Sequence, residues 1–128
     1  MTTSDRLRPP PQVRFAPGVL MFDLAEATAS LRAEPHDAVE GHRQFAIYRH
    51  RPVTLLLFAF EAGAALEEHQ APGLVTIHAL KGELHVSVPN VSHILRAGQL
   101  VTIDPGIPHS VTAAEPAEML LTVHKFVE

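Results

Sequence analysis

Residues 63–82 read GAALEEHQAPGLVTIHALKG, and residues 98–113 read GQLVTIDPGIPHSVTA. Each segment opens on a glycine, and in each a histidine, His69 or His109, stands near a Pro and Gly turn and a short run of Val, Ile, Leu and Thr. Such residues suit pleated backbone, while Gly, Pro and Asn end it, so the stretch reads as strands folding back on one another. The same texture extends outward on both sides from Gly41 to the end of the chain, the pattern of an antiparallel sandwich or barrel. Strands are expected at Gln44–Tyr48, Val53–Glu61, Leu74–Leu80, Glu83–Val88, Ser92–Leu95, Gln99–Ile103, His109–Ala113 and Met119–Phe126. Eight is the jelly-roll number. Lys81-Gly82 and Pro89-Asn90 read as hairpin turns and Asp104-Pro105-Gly106 as a third turn. The run Val53–Phe60 is apolar at almost every position, which predicts a strand buried on both faces.

Towards the amino end the texture changes. Residues 1–18 hold Pro9, Pro10, Pro11 and Pro17 among polar and basic residues, a composition that favours extended backbone and cannot form a core, so they are expected to be an arm. From Asp23 to Arg32, Leu24, Ala27 and Leu31 recur at helical spacing, Asp23 can cap and Pro35 stops the run. Residues 19–128 are therefore expected to form one all-β domain with one short N-terminal helix.

The 128 residues suffice for one hydrophobic core, and 46% of them are hydrophobic. There is no cysteine, which leaves His and carboxylates as metal ligands. Ten Lys and Arg against fourteen Asp and Glu give a formal charge of −4, without the basic stripe that nucleic acid needs. No apolar run approaches the roughly 20 residues of a bilayer span, and the first residues lack the apolar core of a signal peptide. The expectation is a cytoplasmic protein that binds neither nucleic acid nor membrane. Nine histidines is a high count for the length, and His69, His78, His85, His93 and His109 fall in the β-rich middle. A neutral imidazole is also an acceptable half-buried strand residue, so number alone assigns no site; His93 reads as a surface or subunit-contact residue.

The spacing of Gly63, His69 and Gly82, followed by Gly98, Pro105 and His109, resembles the paired motifs of the cupin superfamily, and in particular its small RmlC-like members. The resemblance implies a double-stranded β-helix, the jelly-roll barrel, with a ligand or metal held inside it. The first motif of that family runs Gly, five residues, His, any residue, His, three or four residues, Glu, six residues, Gly. This chain keeps Gly63, His69 and Gly82 but has Ala71 at the second His and Val75 at the Glu. The second motif is kept through Gly98, Pro105 and His109, whereas the Asn that often follows is Ala113. Two of the four usual ligands remain.

Two imidazoles fall short of the three protein ligands of catalytic zinc or the two His and one carboxylate of non-haem iron. A divalent transition metal (Zn, Ni, Fe or Mn) at His69 and His109 would need a third group, for which His78 and His85 are the histidine candidates and Glu67 or Glu68 the carboxylates. Alternation along Leu74–Leu80 puts Val75, Ile77 and Ala79 on one face and His78 on the other, unless a bulge after Pro72-Gly73 reverses it. Losing the carboxylate makes the interior more apolar, with Val75, Ile77 and Val101 as expected lining. The first functional expectation is thus a cupin of unassigned activity that binds a small molecule in the barrel through His69 and His109. The alternative is a metal-dependent enzyme, oxygenase or isomerase in type, with a reduced His site. A homodimer is the expected assembly, because small cupins commonly pair and apolar edge strands must be covered.

Overall fold

The computed structural model describes residues 12–16, 18–35, 38, 41–69 and 71–125, of which residues 12–16 and 69 are described by backbone course. Of the arm expected over residues 1–18, residues 1–11 and 17 lie outside the described residues. Contacts divide the chain into two compact units, Met1–Asp37 and Ala38–Glu128.

In the first unit, β1 (Gln12–Ala16) pairs antiparallel with β2 (Val19–Phe22), Gln12 standing opposite Phe22. A hairpin therefore occupies part of the stretch that composition assigned to an extended arm. The β-forming residues Val19, Leu20, Met21 and Phe22 find a pairing partner that the neighbouring prolines conceal from a compositional reading. Helix α1 (Leu24–Arg32) follows, as the periodicity predicts. Asp23 caps it by accepting a hydrogen bond from the Glu26 N–H at 3.0 Å, and Ala27, Thr28 and Leu31 form its buried stripe. No helix is long and apolar enough to cross a membrane among the described residues.

The second unit contains β3 (His42–His50), β4 (Val53–Phe60), β5 (Ala64–His69), β6 (Gly73–Lys81), β7 (Glu83–Val88), β8 (Val91–Arg96), β9 (Leu100–Ile103), β10 (His109–Ala113) and β11 (Ala117–Lys125). They form a five-stranded sheet, β3-β4-β11-β6-β9, and a four-stranded sheet, β5-β10-β7-β8, antiparallel throughout. The eight expected strands are present to within a few residues. β5 is the addition, and it is the strand that ends on His69.

Cross-strand rows define the inner face. Ile103, Val75 and Val123 form one row, Val101, Ile77 and Leu121 the next, and Ala79, Met119 and Phe58 a third. These rows meet Leu84, Val86 and Val111 of the other sheet in a single buried cluster. Each fully buried side chain of this size contributes about 1.5–3 kcal/mol, and Ile77, Leu84, Val86, Val111 and Met119 are all completely excluded from solvent. β4 is buried on both faces over Leu57–Phe60, with Phe58 and Phe60 inside and Leu57 and Ala59 on the reverse, whereas Val53–Leu56, expected to be buried as well, are half-buried.

The hairpin between β6 and β7 turns at Gly82, whose φ is +78°. A Cβ there would lie 2.5 Å from the carbonyl oxygen of Pro116, whereas at Gly98, φ +90°, it would meet nothing within 4 Å. A left-handed non-glycine residue costs about 1–2 kcal/mol, and forced overpacking adds about 1–3 kcal/mol. Gly98→Ala should therefore lower unfolding free energy by the first amount only and Gly82→Ala by the sum, read from urea denaturation of both variants; equal losses would mean that the Pro116 carbonyl yields without cost.

Candidate functional site

His109 begins β10, directly after a turn that local sequence dictates. Asp104-Pro105-Gly106-Ile107 closes with the Ile107 N–H donating to the Asp104 carbonyl at 3.3 Å, and Gly106 takes φ +83°. Pro at the second position and a left-handed Gly at the third are the requirements of a type II turn. The Gly106 N–H also donates to the Ala71 carbonyl at 3.1 Å, tying this turn to the start of β6. The ring of His109 is buried, 1% exposed, and its Nδ1 lies 3.0 Å from the Ile107 carbonyl oxygen. A carbonyl only accepts, so Nδ1 carries the proton, and in the neutral ring the buried Nε2 is the acceptor.

The register of β5 against β10 decides where the second histidine stands. Ala64, Ala65 and Leu66 face Ala113, Thr112 and Val111 in step, and then the register shifts, so that His69 is the partner of His109. An unbroken ladder would have placed Glu68 there instead. The bulge thus spends one residue of the Glu67–Glu68 pair to bring two histidines of distant sequence into direct opposition, where Cα atoms are about 4.5–5.5 Å apart.

The other expected residues separate into two groups. Val75, Ile77 and Val101 share the inner face: Val75 and Ile77 are packed into the core, and Val101 lines an open groove of about 560 Å³ at the seam of β8 and β9. His78 and His85 are not brought to His109. His78 pairs with Leu100 and Leu120, on the outer face of its sheet. The shift between β6 and β11 falls at Glu118 and Met119, beyond His78, so alternation runs unbroken from Gly73 to Ala79 and no bulge reverses it. His85 stands opposite Thr112 and Ile94, away from the face of Val86 and Val111, with Nε2 3.5 Å from Glu83 Oε1; Arg96 Nε is 3.4 Å from the other Glu83 oxygen. Glu67 and Glu68 are exposed.

One histidine acquires a position that sequence reasoning missed. His42 pairs with Phe60 on the inner face, its ring 5.7 Å from Phe58 and 5.8 Å from Phe60, with Nδ1 buried and without a hydrogen-bond partner among the described residues. It lies at the end of the strands away from His109. Alternation gave no signal, because the apolar Phe45 of the same strand turns to the opposite face beside Leu57. His93, read as a surface or subunit-contact residue, is exposed, stands opposite Val86 and lines the groove with Val101.

Among the described residues no three His, Cys, Asp or Glu side chains group as metal ligands. Val75 is 1% exposed where the family places a carboxylate, and Ala71 packs against the core cluster. The residues present do not fit a catalytic metal centre of three protein ligands. In histidine-labelled protein, ¹⁵N spectra should show His109 protonated at Nδ1 and bare at Nε2; the opposite tautomer would remove the acceptor on which the site is built.

The comparisons with known proteins agree with this architecture. The family model described as the cupin domain matches residues 56–124. A search of curated proteins finds no match. Among solved structures, a conserved protein of unknown function from Streptococcus pyogenes is 22% identical, with a TM-score of 0.69 over 84% of this chain and 89% of its own. A cupin superfamily protein from Desulfitobacterium hafniense is 18% identical, with a TM-score of 0.66 over 71% of this chain and 84% of its own. A cupin 2 conserved barrel domain protein from Leptotrichia buccalis reaches 27% identity and a TM-score of 0.62 over 70% of this chain and 44% of its own. With a family match spanning more than half its length, two antiparallel sheets closed on one apolar core and both glycine-framed segments in place, the chain belongs to the cupin superfamily.

Proposed function

We propose that this protein binds a small molecule in the cupin barrel, with His69 and His109 as polar anchors and the face of Val75, Ile77 and Val101 as apolar wall, its activity unassigned. The observation that carries the reading is the committed tautomer of His109. Its Nδ1 is given to the Ile107 carbonyl, so Nε2 is presented as an acceptor at the register position of a second histidine. Around it the interior is hydrocarbon, the composition of sites that take a largely apolar ligand and orient it by a few polar groups.

A second reading, a metal-dependent enzyme of oxygenase or isomerase type, draws support from the same hydrogen bond, since metal-bound imidazoles commonly donate their other N–H to a carbonyl. Ala71 and Val75 weigh against it. Metal analysis of protein purified without added metal, and melting curves with Zn, Ni, Fe and Mn salts, separate the two. The small-molecule reading expects no stoichiometric metal, no metal-induced rise in Tm, and hits from a fragment screen that are lost in His109→Gln. A stoichiometric metal lost in that variant would install the second reading in its place.

The missing ligands make a further prediction. Val75→Glu alone should destabilise the fold by on the order of 3–5 kcal/mol, the cost of an uncompensated charge in the core. Ala71→His with Val75→Glu should bind zinc and recover stability as zinc is added, by about 2.7 kcal/mol at a hundredfold excess over Kd. Zinc-independent melting of the double variant would show that His69 and His109 cannot converge on one ion.

A further inference from the structure

Alternation sends Val75, Ile77, Leu121 and Val123 into the core, and it sends Thr76, His78, Leu120 and Thr122 to the outside of the five-stranded sheet. There, with β9, they form two cross-strand rows. Thr102, Thr76 and Thr122 stand side by side in one, and Leu100, His78 and Leu120 in the next. None of the six is buried, and Leu100 is 56% exposed. An antiparallel sheet with one face in water ordinarily sets polar residues on that face. The outer face of the four-stranded sheet follows this rule: Glu83 lies opposite Arg96, and Ser87 stands between Ser92 and Ser110 and donates to the Ser92 hydroxyl at 3.4 Å. The two rows on β6, β9 and β11 hold no acid, lysine or arginine, and such a neutral, partly apolar patch marks an interface.

The order of the rows says what fits on them. A second copy, turned over about a two-fold axis that runs between the rows and perpendicular to the strands, lays the threonine row of each chain on the Leu and His row of the other. Leu120 then meets Thr122, Leu100 meets Thr102 and His78 meets Thr76. Each pair occurs twice, as a closed two-fold contact demands. Large side chains fall against small ones, so the faces interlock, and each imidazole faces a hydroxyl able to bond with it. The ends of β11 agree with this axis. Glu118 precedes Leu121 by three residues and His124 follows it by three, so each carboxylate comes to an imidazole of the other chain. A neutral contact also suits two chains that each carry a formal charge of −4.

We infer that the outer face of β6, β9 and β11 is a self-docking surface, on which a second copy of this chain packs sheet against sheet about a two-fold axis at the level of Leu121. The contact lies on a sheet face rather than a sheet edge, and it involves neither His69 nor His109.

The test is the association state of the full chain, measured by sedimentation equilibrium. The unmodified chain should be a dimer. Thr76→Lys and Thr122→Lys each set two ammonium groups into the neutral contact and should raise the dimer dissociation constant about a hundredfold or more, with the far-UV circular dichroism of the native fold retained. Ser87→Lys, on the outer face of the other sheet, and Ile94→Lys, on the edge strand β8, should leave the dimer intact. Because the chain has no cysteine, single-cysteine variants give a reading that does not depend on added charge. Packed sheets lie about 10 Å apart, so a bis-maleimide of that span should join Thr122→Cys into covalent dimers and leave Ser92→Cys monomeric on denaturing gels. The inference is overturned if the unmodified chain sediments as a monomer at about 100 μM, if both threonine variants stay dimeric, or if Ile94→Lys dissociates the dimer in their place. Equal cross-linking of Ser92→Cys and Thr122→Cys would overturn it as well.

Discussion

One register shift organises this molecule. β5 and β10 pair in step for three residues and then slip by one, and that slip, rather than any local preference of His69, sets the two histidines opposite each other. Because side chains alternate with a period of two, an error of one residue here would present Glu68 in place of His69. The ladder on the other side of β10, against β7, runs regularly through Ser110, Val111 and Thr112, so the irregularity is confined to the edge strand. Edge strands tolerate bulges because only one ladder is disturbed. The histidine pair therefore sits where the sheet tolerates a defect without losing its core.

The interior explains why the barrel survives without the full ligand set. A carboxylate at position 75 would have to be partnered by a cation to be kept at 1% exposure, whereas Val75 gains on the order of 1.5–3 kcal/mol by being there. Row by row, Ile103–Val75–Val123 and Val101–Ile77–Leu121 close the sheet with hydrocarbon contacts that need no ion. The exchange of Glu for Val transfers this position from chemistry to packing. The buried imidazole of His109 is held by the turn before it, and that of His42 lies at the other end of the strands beside Phe60.

Most of the fold was legible from alternation and punctuation. β7 and β10 begin and end where the sequence puts them, and the turns at Gly82, Asn90 and Gly106 all have the positive φ that their residue types invite. β5 was not legible, because Ala64-Ala65-Leu66-Glu67-Glu68 is rich in helix formers and becomes a strand only through pairing with β10, a tertiary override of propensity. The hairpin of β1 and β2 was hidden for a related reason, its pairing masked by the prolines beside it. At the site, His109 and the inward set Val75, Ile77 and Val101 followed from the pattern, and alternation rightly kept His78 outside. The inward setting of His42 did not follow, because β3 presents apolar residues to both faces and alternation cannot choose between them.

The turn from Asp104 to Pro108 joins the two polar features of the barrel end through a single residue. The side chain of Ile107 lines the β8–β9 groove, while its carbonyl accepts the proton of His109 Nδ1. Pro105 and Pro108 restrict φ on either side of it, and the Gly106 N–H is anchored to Ala71, so the segment has little freedom to move. A shift of Ile107 large enough to lengthen its 3.0 Å contact would release the tautomer that leaves Nε2 as an acceptor. The imidazole is consequently only as well defined as this turn is rigid, which places the control of the buried histidine in a surface loop rather than in the core around it.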